Sequence, residues 1–195
     1  YRIVHTVIES DRRYKYEEVQ ELLEANGVID GTGEPAPAET KEHPYQGENA
    51  LQLITLDRLA KKLRAARFKN GAVKFDREEL HFDVDEKGKP VSCYYKRSKD
   101  ANKLVEEFML LANRTVAEFV GKVPKGKTKK TFVYRVHDLP DPDKLENFAA
   151  FIRRFGYKMK TEGSSKIDIS RNLNRLLDEV HDKPEENLIE TLAIR

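Results

Sequence analysis

Two stretches of this sequence gather positive charge beside aromatic rings. Residues 58–75 carry Arg58, Lys61, Lys62, Arg64, Arg67, Lys69 and Lys74 with no acidic residue among them, and they include Phe68 and Phe75. Residues 119–137 carry Lys122, Lys125, Lys127, Lys129, Lys130 and Arg135, again without an acid, and include Phe132 and Tyr134. Cations that follow phosphates next to rings that stack on bases are the means by which proteins hold single-stranded nucleic acid. The alternative is that the lysines solvate a helix face and a loop while the rings fill a core.

A third candidate is a polar stripe made of Asn102, Glu106, Met109 and Asn113. At about 100° per residue these four fall within roughly 60° of one another on a helix. A carboxylate there can accept hydrogen bonds from ribose hydroxyls, the groups that separate RNA from DNA. The same stripe also fits a structural hydrogen-bond network.

Metal-assisted phosphodiester hydrolysis asks for several carboxylates converging on one or two magnesium ions. No such cluster is visible. Asp83 and Asp85 share a strand face but precede turn chemistry, and Asp141 and Asp143 flank Pro142, where a helix cap and the helix dipole explain them. Glu106 and Glu107 diverge by about 100° on a helix. His5, His43, His81, His137 and His181 lack the spacing of a metal-binding helix. Among them His137 stands out, because it ends a strand pattern just after Arg135.

The elements that must position these residues are short and mixed. Period-2 alternation predicts strands over residues 1–8, 72–75, 79–84, 91–95 and 131–136. Helical spacing predicts helices over 14–25, 53–68, 100–120, from Asp141-Pro142 onward, 169–180 and 185–195. The helix over 100–120 should be largely buried along Ala101, Val105, Phe108, Ala112, Val116 and Phe119. Residues 27–47, rich in glycine and proline, read as a mobile surface excursion. The fold class is α+β, with antiparallel or mixed strands packed against several long helices.

Composition bounds the rest. The 195 residues are 36% charged and 38% hydrophobic, enough apolar content for a core and too little for a membrane span. The net charge of +2 averages over the two basic tracts. A single cysteine, Cys93, excludes a disulfide scaffold and a cysteine-based zinc site, and points to a reducing, cytoplasmic setting.

These stretches resemble the catalytic (RNB) domain of the ribonuclease II and ribonuclease R family of 3′-to-5′ exoribonucleases, the ribonuclease R branch more closely. The matching text is ordered along the chain: Thr6-Val7-Ile8-Glu9-Ser10 with Arg13 and Tyr16 nearby, Gly71-Ala72-Val73-Lys74-Phe75, Leu104-Val105-Glu106-Glu107-Phe108-Met109-Leu110-Leu111-Ala112-Asn113, and Tyr134-Arg135-Val136-His137-Asp138-Leu139-Pro140.

The resemblance implies a processive hydrolase that threads single-stranded RNA 3′ end first and releases 5′-nucleotides with Mg2+. Phe75 matches an aromatic that stacks on bases near the 3′ end, and Glu106 a carboxylate at the terminal nucleotides. Asn113, Arg135 and His137 are expected to support the RNA or the domain around it. Residues 1–195 then read as a partial RNB catalytic domain, starting inside a strand and ending inside a helix. The magnesium-binding aspartates, the residues that assist cleavage and the flanking RNA-binding barrels belong outside it. No catalytic residue and no metal ligand is expected within the chain, which alone should be inactive, and neither a membrane nor an obligate protein partner is implied. The competing expectations are a noncatalytic RNA-binding or regulatory module on the same scaffold, and a plain α+β interaction domain.

Overall fold

The computed structural model describes residues 2–75, 79–123, 126, 128, 130–136, 140–161 and 166–194, the side chains of Glu79 and Lys166 excepted. Among the described residues the regular elements are α1 (Tyr16–Ala25), α2 (Ala50–Lys69), β1 (Glu79–Val84), β2 (Pro90–Lys96), α3 (Asp100–Gly121), α4 (Pro142–Ile152), a 3-10 turn (Arg153–Phe155), α5 (Lys166–Val180) and α6 (Glu186–Ile194). This is the mixed helix and strand class that the sequence predicts. The chain divides into two compact units, Tyr1–Lys61 with Ser98–Phe108 and Lys62–Arg97 with Met109–Arg195.

The first unit is built on α1 and the start of α2. Its core is Leu23, Val28, Ala36, Ala50 and Ile54, flanked by Val19, Leu22 and Tyr45. α1 starts where Glu18 accepts from the Lys15 N–H at 2.7 Å, closing the first turn. It stops at Asn26-Gly27, with Gly27 at φ 84, a conformation only glycine adopts without strain. The N-terminus of α3 is satisfied by side chains from elsewhere in this unit. Asp30 accepts from the Asp100 N–H at 2.9 Å, and the buried Gln20 accepts from the Ala101 N–H at 3.0 Å.

Residues 27–47 are anchored, which corrects the expectation of a mobile excursion. The side-chain amide of Asn26 donates to the Gln46 carbonyl at 2.9 Å and accepts from its N–H at 2.8 Å, tying the two ends together. Val28 and Ala36 are buried in the core. A long loop is tolerated when its own side chains pack it.

The second unit packs α4, α5 and α6 around Ala149, Ile152, Tyr157, Met159, Leu173, Leu176, Val180 and Ile189. α4 begins as Asp141-Pro142 predicts: the Asp141 carboxylate accepts from the N–H groups of Asp143 and Lys144, and proline fills the first turn. Strands β1 and β2 form an antiparallel hairpin with Phe82 opposite Cys93. Its turn is closed by Asp85, which accepts from the N–H groups of Lys87 and Lys89, each at 2.9 Å. Asp83 takes a hydrogen bond from the Ser92 hydroxyl. Both aspartates therefore serve the hairpin, as the turn pattern implies.

Three expected strands are not formed. Residues 2–8, 72–75 and 131–136 carry no sheet pairing, and Val7 is fully exposed. Alternating sequence makes a strand only where a partner edge satisfies its backbone. The burial of α3 is also less than its apolar stripe suggests. Ala101, Leu104 and Glu107 are buried in its first two turns, but Met109, Leu110, Leu111, Val116 and Phe119 are exposed. Both core clusters are built from other elements, so the stripe has cover only at its start.

Candidate nucleic-acid interface

The first basic tract divides by direction. Arg58 and Lys61 turn inward in the first unit. One Arg58 nitrogen, Nη2, donates to the carbonyls of Ala36 and Pro37 at 3.0 and 2.8 Å and to the Tyr45 hydroxyl at 2.6 Å. The Lys61 ammonium lies 2.9 Å from Asp57 Oδ2 and 3.1 Å from Asp100 Oδ2, and donates to the Glu34 carbonyl at 2.8 Å. Burial pushes the Asp57 carboxyl above its ordinary value, and the hydrogen bond and charge of Lys61 oppose that push. These two cations hold the protein together and do not face a phosphate.

The remaining cations of that tract belong to the second unit. Lys62, Lys69 and Lys74 are exposed, while Arg64 and Arg67 are half-buried on Phe68. Their guanidinium carbons stand 4.9 and 5.1 Å from the Phe68 ring centroid, so two cations share one ring. Phe68 is engaged in this way, which leaves Phe75 as the ring of the tract suited to a base. Phe75 is half-buried at the end of an extended run. That run is held by α5: the Asn174 side chain accepts from the Lys74 N–H and donates to the Ala72 carbonyl, both at 2.8 Å.

The described part of the second tract keeps its aromatic edge. Phe132 and Tyr134 meet edge to face with centroids 5.0 Å apart, and both rings are exposed. Arg135 is exposed next to them, as is Lys130. Lys122 is paired with Glu118 at 3.2 Å, and Arg114 reaches the same carboxylate at 3.3 Å. Hydrogen bonds from Lys122 and Arg114 hold the Glu118 carboxyl below its ordinary range. His137, and residues 124, 125, 127 and 129 of the lysine loop, lie outside the described residues.

On α3, Glu106 is exposed and Glu107 is buried, the divergence that helical spacing predicts. Asn113 is exposed and follows Glu106 by seven residues, close to two turns, so both fall on one strip of the helix. Asn102, at the head of the same stripe, accepts from the Lys99 N–H at 3.1 Å, a capping role. The stripe is thus structural at its first turn and open to solvent further along.

Among the described residues, the single group with metal-ligand proximity is His181, Asp182 and Glu186. It does not fit a hydrolytic magnesium site. Glu186 already accepts from the Asp182 N–H at 2.9 Å and faces His181 Nδ1 at 2.8 Å. The group's third member is an imidazole, a nitrogen donor where magnesium takes oxygen, and its two carboxylates both already face His181. Of the residues that pattern reading passed over, Asn174 stands out. Its signal is a contact across 100 residues, invisible to local spacing.

Exposed cations beside aromatic rings, on a mixed helix and strand scaffold, are a pattern that nucleic-acid-binding domains use. The model of the RNB domain family matches residues 1–195, and the chain belongs to that family. It is 33% identical over 190 residues to DIS3-like exonuclease 2 of Schizosaccharomyces pombe, an alignment covering 97% of this chain and 19% of that protein. It is likewise 33% identical over 199 residues to Ribonuclease R of Thermotoga maritima, covering 100% of this chain and 24% of that protein. The fold is similar to that of Mycoplasma genitalium RNase R solved in complex with ribose-methylated single-stranded RNA. That match has a TM-score of 0.64 at 21% identity and covers 91% of this chain and 24% of that one. The chain therefore spans a quarter or less of the length of these relatives. Among the described residues no helix is long and apolar enough to cross a membrane.

Proposed function

We propose that this chain is part of a processive, cytoplasmic 3′-to-5′ exoribonuclease that hydrolyses single-stranded RNA to 5′-nucleotides. The observation that carries the reading is family membership along all 195 residues, in a chain whose outward cations and rings are of the kind that hold RNA. Its contribution is the path of the RNA. Phe75 stacks on bases near the 3′ end, Glu106 meets ribose hydroxyls, and Asn113, Arg135 and His137 support the strand. Magnesium is the cofactor of the complete polypeptide, held by carboxylates outside these residues, and the 195 residues alone are inactive. No membrane and no obligate protein partner enter this reading.

The test is digestion of end-labelled RNA by the complete polypeptide, with and without Mg2+. Stepwise shortening from the 3′ end that requires the metal supports the proposal. RNA binding that weakens with salt but is never followed by hydrolysis replaces it with a noncatalytic RNA-binding module. Binding that is flat with salt removes the phosphate contacts and both RNA readings. Within the enzyme, Phe75→Ala lengthens the end product, and Glu106→Ala narrows the preference for RNA over a DNA 3′ end. An unchanged product ladder rejects the first role, and an unchanged preference rejects the second.

A further inference from the structure

We infer that Asn174 is a positioning residue for Phe75, setting from α5 where that ring stands. The inference rests on the base-stacking role proposed for Phe75 and names the group that makes the role possible.

Residues 72–75 read as a strand by alternation, yet they pair with no strand. Their partner is a side chain. The Ala72 carbonyl and the Lys74 N–H lie on one edge of the extended backbone, as i and i+2 groups do. Asn174 meets both at 2.8 Å, donating to the first through Nδ2 and accepting from the second through Oδ1. A carboxamide carries a donor and an acceptor in one plane, so it completes the ladder that a neighbouring strand would otherwise supply. The backbone also settles which way the amide points, because a carbonyl only accepts and an N–H only donates.

Two further observations place the same run beside the same helix. Val73 packs against the core that contains Leu173 and Leu176. Gly71 holds φ +90, and a Cβ built on it would stand 3.6 Å from the Ile167 Cα. Ile167 and Asn174 are seven residues apart on α5, about 10.5 Å at the helical rise. Three extended steps from residue 71 to residue 74 cover about 10 Å. The run therefore lies along two turns of α5, and Phe75 is the first residue past the last docked backbone group.

Asn174 serves both partners through its two amide atoms. Asn174→Asp keeps the acceptor for Lys74 and sets a carboxylate oxygen against the Ala72 carbonyl, while Asn174→Ala removes both bonds. Asn172 on the same helix donates to the Lys160 carbonyl at 3.3 Å and does not touch the run, so Asn172→Ala is the matched control for a merely structural loss.

The experiment measures the length of the end product left by the complete polypeptide on labelled single-stranded RNA, beside the unfolding midpoint of each variant. Phe75→Ala and Asn174→Ala are expected to shift the end product to longer lengths, Asn174→Asp to shift it partway, and Asn172→Ala to leave it as in the parent. The double variant Asn174→Ala with Phe75→Ala should go no further than Phe75→Ala alone. If Phe75→Ala shifts the product and both Asn174 variants do not, the positioning role is overturned and the base-stacking role stands. If Asn172→Ala shifts the product as Asn174→Ala does, the effect is general to α5 and the role is again overturned. If Phe75→Ala leaves the product unchanged, the base-stacking role falls and takes this one with it. Should Asn174→Ala fail to fold, Asn174→Asp, of nearly the same shape, decides the question.

Discussion

The Lys61 ammonium sits 2.9 Å from the Asp57 carboxylate, where Asp57 is 1% exposed. Asp100 Oδ2 lies 3.1 Å from the same ammonium, so Lys61 pairs with two buried acids at once. Removing one partner of a buried ion pair leaves the other charge uncompensated, at a cost of about 3–5 kcal/mol. Lys61→Met should therefore lower stability by that order, read by chemical denaturation. Lys62→Ala and Lys69→Ala, at exposed positions of the same helix, should leave stability within about 0.5 kcal/mol and weaken binding of single-stranded RNA. Equal stability losses at all three positions would contradict the division of this tract into inward and outward cations.

Arg58 makes a second prediction, about the 27–47 loop. A single nitrogen, Nη2, reaches Ala36, Pro37 and Tyr45 together, and alanine removes all three contacts. Arg58→Ala should cost about 1.5–3 kcal/mol, the range for hydrogen bonds to charged groups. It should also raise hydrogen exchange in the loop while leaving α4 to α6 protected. Uniform exchange before and after the change would show that Arg58 does not hold the loop.

At Gly71 the backbone itself is the constraint. With φ at +90, any side chain is strained there. Gly71→Ala should destabilise by about 1–2 kcal/mol and, by moving the run that ends in Phe75, alter the RNA end product in the same direction as Phe75→Ala. A stability loss with the parental end product would separate the turn from the ring.

His181 gives a prediction in pH. Its pKa is raised above the ordinary 6.5, first by the hydrogen bond to Glu186, then by the charges of Asp182 and Glu186, while burial and Lys74 oppose the rise. A raised folded-state pKa means that the imidazolium is favoured in the native protein. The stabilisation is fully present below 6.5 and is lost as pH rises through the raised value. The unfolding midpoints of the parent and His181→Gln should differ most in mild acid and converge in alkaline buffer. A difference that is constant with pH would exclude the ion pair as its source.

How much of this could be read from residues alone differs from place to place. The start of α4 was legible because Asp141 and Pro142 act on the next turn and nothing else. The Asp85 turn was legible for the same reason. The tract 58–75 looked free of acid, yet the acids that claim Lys61 sit one turn before it, at Asp57, and on α3, at Asp100. Counting charge inside a window misses partners just beyond its edge. The apolar stripe of α3 was real, but a stripe states only that a face wants cover, and burial here stops after the first two turns. Alternation over 72–75 likewise identified an extended run and not its partner, because that partner is an amide 100 residues downstream.

That separation has a kinetic side. Closing so long a loop demands chain entropy before any contact repays it, so the docking of residues 71–74 belongs to the late, non-local steps of folding. During synthesis at roughly 5–20 residues per second, Val73 and Phe75 are added to the chain about 5–20 s before Asn174 exists. For that interval two apolar side chains have sequence but no seat, and the nascent chain is open to holdase chaperones at the very segment proposed to grip RNA.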